Sequence, residues 1–245
     1  MSFPRPPLAT PASTTAPHTA SISQAISTHL TALHLPPTAH WLTTFLPSIR
    51  ASTPLVAIKK TALFRILATD ITASLNVSSS DSLLPARIVD ATVQETKLTG
   101  PVVVQVLDIE DIGRSRWSQV EALEAIERGE TTKGREIIRV VPDANAPDVG
   151  IVEAKSAGPH KLLLQDAAGT KVYAMELTPI HGVSVQMAIG IKLVLSDVVV
   201  ARGVLLLEPR GVEVLGGKVE TWEKKWREER KGRLKVLAGW REDGT

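Results

Sequence analysis

The chain has 245 residues, a formal net charge of +2 and no cysteine. Its length suits one or two domains with a substantial core. The balanced charge gives no global signal for nucleic acid or membranes, and the lack of cysteine excludes disulfides, thiolate nucleophiles and cysteine-based metal sites. No apolar run approaches the ~20 residues that span a bilayer, so we expect a soluble protein with no membrane partner.

The N-terminal third of the sequence predicts a tail followed by three helices. Residues 1–20 are mainly Pro, Ser, Thr and Ala, which bury too little apolar surface to offset the entropy of ordering, so we expect disorder. Apolar residues at spacings of three and four then predict three short helices within 21–80, which form a small bundle. The bundle ends in a serine-rich linker at 78–82.

From residue 81 the hydrophobic period falls to two, which predicts strands. We expect strands at 83–93 and 101–109, a hairpin at 161–165 and 171–177, and the last two strands within 190–217. These runs amount to about five strands, the number in an OB-fold barrel, so the predicted fold is mainly β: a five-stranded OB-fold barrel over 81–218, with a C-terminal helix and tail at 219–245.

A long insertion follows the first long strand, at residues 114–158. It is far longer than an ordinary connection of ~4–6 residues. Its seven Lys or Arg and eight Asp or Glu are too balanced for a nucleic-acid arm. Long loops displayed by a rigid barrel usually carry function, so we interpret this one as a partner-binding loop that orders on contact. Trp117 is either a partner anchor or a core residue beneath the loop.

Candidate catalytic groups are scattered along the chain. His29, His34 and His40 lack metal-ligand spacing and a neighbouring carboxylate. The acidic groups near the end of the first long strand, at Asp108 and Glu110, have no nucleophile or histidine tied to them by sequence. We therefore predict neither an enzyme nor a cofactor site.

Single-stranded nucleic acid needs stacked aromatic residues and a basic groove. The predicted strands offer one such aromatic residue, Tyr173, with Lys171 near it, and the last helix adds Lys224 and Lys225. These four residues are candidates for weak DNA binding, although a solvated surface explains them equally well. A free-standing single-stranded DNA-binding OB-fold protein is therefore the alternative function.

Two runs near the end of the barrel, GVLLLEP at 203–209 and VEVLGGKV at 212–219, resemble the signature of the RecQ-mediated genome instability family. This family supplies the OB-fold partner of topoisomerase III. The resemblance extends over about residues 30–220 and includes Pro36-Pro37 with Trp41-Leu42, and Trp117 to Val120. The chain resembles the short members of the family, which have a single barrel.

The resemblance implies a non-catalytic nuclear scaffold that joins a type IA topoisomerase to a RecQ helicase and promotes dissolution of double Holliday junctions. It implies that the barrel docks on the topoisomerase and that the insertion tunes the opening of its DNA gate. Lys192 opens an otherwise apolar strand, so we expect its charge to face outward on the docking surface. The other candidate contacts lie in the insertion: Trp117, Val120, Leu123, Ile137, Ile138 and Val140.

Overall fold

A computed structural model describes residues 15–50, 52–77, 82–133, 136–139 and 158–240. Its N-terminal part contains four helices: α1 (Thr15–Thr31), α2 (Ala39–Phe45), α3 (Leu55–Leu67) and α4 (Ile71–Ser74). The prediction of disorder is wrong for 15–20, which lie in α1, whereas 1–14 lie outside the described residues. The predicted third helix is two helices, because the Asp70 side chain accepts a hydrogen bond from Thr72 N at 2.9 Å and starts α4 afresh.

The main β structure is one mixed sheet of eight strands, with a separate two-stranded hairpin. In chain order the elements are β1 (Glu95–Leu98), β2 (Val102–Asp111), α5 (Arg116–Glu127), β3 (Glu130–Lys133), β4 (Glu136–Arg139), β5 (His160–Asp166), β6 (Lys171–Glu176), β7 (Lys192–Leu195), β8 (Val198–Ala201), β9 (Val204–Leu207), β10 (Val212–Gly216) and α6 (Glu220–Leu237). The sheet order is β1-β8-β9-β6-β5-β2-β7-β10, and β3 pairs with β4. The predicted hairpin, long second strand and final helix are confirmed.

The predicted count of five strands is wrong, and so is the predicted position of the first strand. The final stretch forms four strands instead of two, because turns at 196–197 and 208–211 interrupt each long strand. The stretch 83–93 forms turns, and the first strand is β1 instead. Asp90 explains this difference, since its carboxylate accepts from Thr92 N at 3.0 Å and pairs with Arg87, which closes a local turn.

The sheet separates two hydrophobic cores. Alternate residues of β2 point to opposite faces, so Val102, Val104 and Val106 join the inner core of the curled sheet. Val103 and Val194 point outward into a second core that they share with the helices. Helices α1–α4 thus cover the outer surface of the sheet around β2 and β7.

Candidate partner-binding surface

The two ends of the insertion meet at one point of the sheet. Ile112 N donates to Pro159 O at 3.0 Å. A Cβ on Gly113 would lie 2.2 Å from Gly158 O, a contact that no other residue type allows without a backbone shift. The insertion therefore leaves and re-enters the sheet through a fixed stem, which comprises residues 112–113 and 158–159.

A buried carboxylate holds the returning strand. Glu176 accepts from His160 N at 3.1 Å and from Ile180 N at 2.7 Å, and it lies 2.5 Å from His160 Nδ1. Both side chains are almost fully buried. Because buried polar groups that lose a partner are costly, this network fixes the strand on which the insertion ends.

Glu110 reinforces the stem from the outgoing strand. It forms ion pairs of 2.7 Å with Arg116 and with Lys161. Burial acts to raise the pKa of Glu110, but hydrogen bonds from Lys161 and Arg116 outweigh it and lower the pKa below its usual value. Glu110 therefore ties α5 to β5 as a carboxylate.

Helix α5, at the start of the insertion, is packed against the sheet and α6. Gln119 Nε2 donates to Asp111 O at 2.9 Å, and Glu124 pairs with Lys235 of α6 at 2.6 Å. A hydrogen bond from Lys235 lowers the pKa of Glu124. Trp117 is 47% exposed, so it is available to a partner.

The other insertion candidates have different positions. Val120 is fully buried, so its prediction as a surface contact is wrong. Its side chain lies on the buried side of α5. Leu123 is half-buried. The backbones of Ile137 and Ile138 pair with β3 opposite Thr132 and Thr131, and Val140 lies outside the described residues.

Lys192 does not face outward, contrary to the sequence-based expectation. Its exposed fraction is 0%, and its Nζ donates to Leu67 O at 2.8 Å and to Gly190 O at 2.6 Å. Burial lowers the pKa of Lys192 to about 8, against the attraction of Asp70. The strand is covered by the helices, so a polar residue there is satisfied by backbone carbonyls rather than by water.

Gln105 extends this contact into a polar seam, which comprises Asp70, Gln105, Gln165 and Lys192. Gln105 pairs across the strands with Lys192. Its amide donates to Asp70 Oδ1 at 2.7 Å and to Gln165 Oε1 at 3.1 Å, and its Oε1 accepts from Ile71 N at 3.1 Å. The seam therefore fixes the helices on the sheet, with Gln105 and Lys192 buried and Asp70 and Gln165 half-buried.

The outer surface of the sheet also has an apolar part, on strands that helices α1–α4 do not cover. Inward residues of β5, β6 and β9 belong to the inner core, and the alternate residues turn away from it. The apolar sheet face comprises Leu163, Tyr173, Met175, Leu177, Val199 and Leu206, which neighbour one another across the strand pairs. Tyr173 is 52% exposed, and a shallow pit of about 100 Å³ lies between Leu177, Val199 and Leu206.

The candidate DNA contacts fall into two places. Lys171 and Tyr173 lie two residues apart on the exposed side of β6. Lys161 Nζ lies 5.6 Å from the Tyr173 ring centroid. Lys224 and Lys225 are exposed on α6, where Lys225 lies 3.9 Å from Glu229. The structure thus brings Lys171 and Tyr173 together, on a different element from the two lysines of α6.

The sequence interpretation missed a contact between α6 and β2. Trp226 Nε1 donates to Asp108 Oδ1 at 2.5 Å, and the guanidinium groups of Arg227, Arg230 and Arg233 lie 5.3–5.6 Å from its ring. The available signal was the Trp222 and Trp226 pair one turn apart, which predicts a buried face. Asp108 is therefore a structural partner of α6.

Two other kinds of site are absent from the part of the chain that the structure describes. No helix there is long and apolar enough to cross a membrane. No three His, Asp or Glu side chains there are placed to hold a metal ion.

The comparisons with known proteins match both structural regions. Residues 84–230 match the family model for the RMI1 N-terminal OB-fold domain, and residues 30–74 match that for the RMI1 N-terminal helical domain.

Among curated relatives, three carry the name RecQ-mediated genome instability protein 1. The protein of Schizosaccharomyces pombe is 28% identical over 81% of this chain and 89% of its own length. That of Xenopus laevis is 34% identical over 56% of this chain and 23% of its own length. That of Arabidopsis thaliana is 44% identical over 26% of this chain and 10% of its own length. With an OB-fold domain and a helical domain that both match, the chain belongs to the RecQ-mediated genome instability protein 1 family.

Proposed function

We propose that this chain is a non-catalytic scaffold in the nucleus that binds topoisomerase III and, through it, a RecQ-family helicase. In this role it promotes double Holliday junction dissolution and decatenation during recombination and repair. Family membership supports the proposal, since the relatives are named for RecQ. The observation that carries it is an uncovered apolar sheet face on the same sheet as an insertion with a fixed stem.

The apolar sheet face suits docking on a large protein. Exposed contiguous apolar surface on a monomer marks interaction sites, and aromatic side chains such as Tyr173 dominate interface energies. Four adjacent strands, β8, β9, β6 and β5, form a rigid support for it. Docking there needs little reorganisation, because the strands are already fixed by the inner core.

The insertion is placed to act on the bound enzyme. Its stem and α5 are fixed by Glu110, Gln119 and the ion pairs to α6. Trp117 is exposed on α5. We infer that the insertion contacts the moving parts of the topoisomerase and tunes how long its DNA gate stays open.

Deletion of residues 130–155 tests the gating role. The stem and α5 remain, so we expect the variant to fold and to bind purified topoisomerase III. Relaxation and decatenation by the complex should change while binding does not. Unchanged rates in both assays, with binding intact, would contradict the gating role.

Single-strand binding is the second candidate, because Tyr173 is exposed beside Lys161 and Lys171. Non-specific binding rests on phosphate contacts and falls steeply with salt. Titration of the isolated chain with an oligonucleotide at two salt concentrations separates the candidates. Tight, steeply salt-dependent binding favours the DNA-binding protein, and weak binding alongside a stable topoisomerase complex favours the scaffold.

A further inference from the structure

Helix α3 has a second apolar surface that the helical core does not use. Its buried side is formed by Ile58, Ala62 and Ile66. At 3.6 residues per turn, Phe64 lies about 160° and Val56 about 120° around the helix from the centre of that side. Phe64 is 74% exposed and Val56 is 68% exposed. Phe64 is the most exposed large apolar side chain in the described part of the chain, and aromatic side chains contribute most to interface energies.

The residues beside Phe64 are small. Ala57, Thr61 and Ala68 are exposed on the same side of α3, which continues into Ala68 as its C-cap. Thr61 Oγ1 donates to Ala57 O at 2.9 Å, so its hydroxyl is satisfied by the helix itself. Small side chains around one large one allow a second helix to approach closely. We call this surface the α3 stripe: Val56, Ala57, Lys60, Thr61, Phe64 and Ala68.

The charge around the α3 stripe has one sign. Residues 15–69 contain Arg50, Lys59, Lys60 and Arg65 and no Asp or Glu. Arg65 is exposed but already has partners, since it donates to Ser48 Oγ at 2.6 Å and lies 5.5 Å from the Phe45 ring centroid. Lys60 lies within the stripe and is exposed. An occupant of this surface therefore meets positive potential without competing carboxylates from the same region.

We propose that the α3 stripe binds an acidic amphipathic helix of a partner protein. Its apolar side chains pack around Phe64, and its Asp or Glu side chains face Lys60. The stripe spans about 18 Å at 1.5 Å per residue, which is about three turns and accommodates apolar anchors at i, i+4, i+7 and i+11 of a bound helix. This surface lies on the helices and is separate from the apolar sheet face.

A protein helix fits the stripe better than nucleic acid. Single-strand binders combine a basic groove with several aromatic residues for successive bases. The stripe has one aromatic residue, and its other exposed members are mostly aliphatic or small. Apolar area of this kind is buried by another apolar surface, not by a phosphate backbone.

The test uses the full chain and a fluorescein-labelled synthetic helix of 18 residues, with Leu and Phe on one face and Glu on the flanks. Fluorescence anisotropy should detect binding. Phe64→Ala should weaken it at least about tenfold, as expected for loss of an aromatic anchor. Lys60→Glu should weaken it about threefold or more. Val236→Ala is the matched control, since Val236 is 72% exposed on α6, and it should leave the affinity unchanged.

A version of the peptide with Lys in place of Glu should bind the native chain more weakly and recover affinity with Lys60→Glu. Equal binding of both peptides, no binding of the acidic peptide, or no effect of Phe64→Ala would overturn the proposal. Tighter binding of a 20-residue oligothymidine that also depends on Phe64 would assign the stripe to nucleic acid instead. A Phe64-dependent dimer in analytical ultracentrifugation would assign it to self-association. Because Phe64 is exposed, thermal unfolding of the variant should match that of the native chain.

Discussion

The outer surface of the sheet has a covered side and an uncovered side. On the covered side, Val103 and Val194 pack under the helices, and the polar seam around Lys192 joins the two layers. On the uncovered side, outward residues of β5, β6, β8 and β9 form the apolar sheet face. The difference teaches that a charge in a strand covered by the helices is structural, whereas the exposed apolar residues of the other strands are available to a partner.

The largest expected effect is on the covered side. Lys192→Ala leaves a cavity and removes the donor that Leu67 O and Gly190 O share, so we expect a loss of about 3 kcal/mol in the free energy of unfolding. Denaturant titration measures it. Lys171→Ala, an exposed lysine on the uncovered side, is the control and should change stability by less than about 0.5 kcal/mol. If both variants lost the same free energy of unfolding, the distinction between the covered and the uncovered side would be wrong.

The polar seam should also give the protein a characteristic pH dependence. The folded pKa of Lys192, about 8, is below the unfolded value of 10.5, so the unfolded chain binds more protons between these values. Stability should therefore rise with pH, and the penalty of the buried charge is complete below pH 8 and gone above pH 10.5. Between pH 7 and pH 10 the native chain should gain about 2 kcal/mol relative to Lys192→Met. Parallel stability curves for the two proteins would contradict the burial of a charged Lys192.

Two valines, one on the covered side and one on the uncovered side of the sheet, allow a direct comparison of the two sides. Val194→Ala on the covered side removes methyl groups from the helical core and should cost about 1–2 kcal/mol. Val199→Ala in the apolar sheet face should cost about 0.5 kcal/mol or less, because the residue is already half-exposed. Thermal unfolding of the two variants measures the difference. Similar losses would mean that the apolar sheet face is covered.

The smallest effect is expected where α5 meets α6. Glu124→Gln removes the ion pair with Lys235, and ion pairs at the surface contribute little to stability. The lowered pKa of Glu124 means that this contribution is present above the ordinary pKa of a glutamate and is lost as the pH falls below it. Unfolding at pH 7 and pH 3 should show a small loss for the variant at pH 7 alone. A loss at pH 7 as large as that of Val194→Ala would show that α5 is anchored mainly by charge.

The sequence predicted element types well where one period was strong. Runs such as 101–109 and the hairpin had clear alternation, and 190–217 carried both the strands and the family resemblance. It failed where a single polar side chain decides the local structure. Asp70 starts a new helix and Asp90 closes a turn, and neither contact is visible in a periodic pattern.

The candidate site was predicted in part for a related reason. A charged residue in an apolar strand normally faces water, but Lys192 meets carbonyls of residues 2 and 125 positions away. Only the folded chain shows that helices cover this strand. Trp117 and Tyr173 are exposed, and only the strand pairing of the folded chain shows the apolar neighbours of Tyr173 on β5 and β9.

Calorimetric titration of the full chain with purified topoisomerase III tests the central claim most directly. We expect the double variant Tyr173→Ala and Leu177→Ala to lower the affinity about thirtyfold, as loss of about 2 kcal/mol of interface energy gives, with unfolding unchanged. Val236→Ala should bind as the native chain does. Native affinity in the double variant would contradict docking through the apolar sheet face.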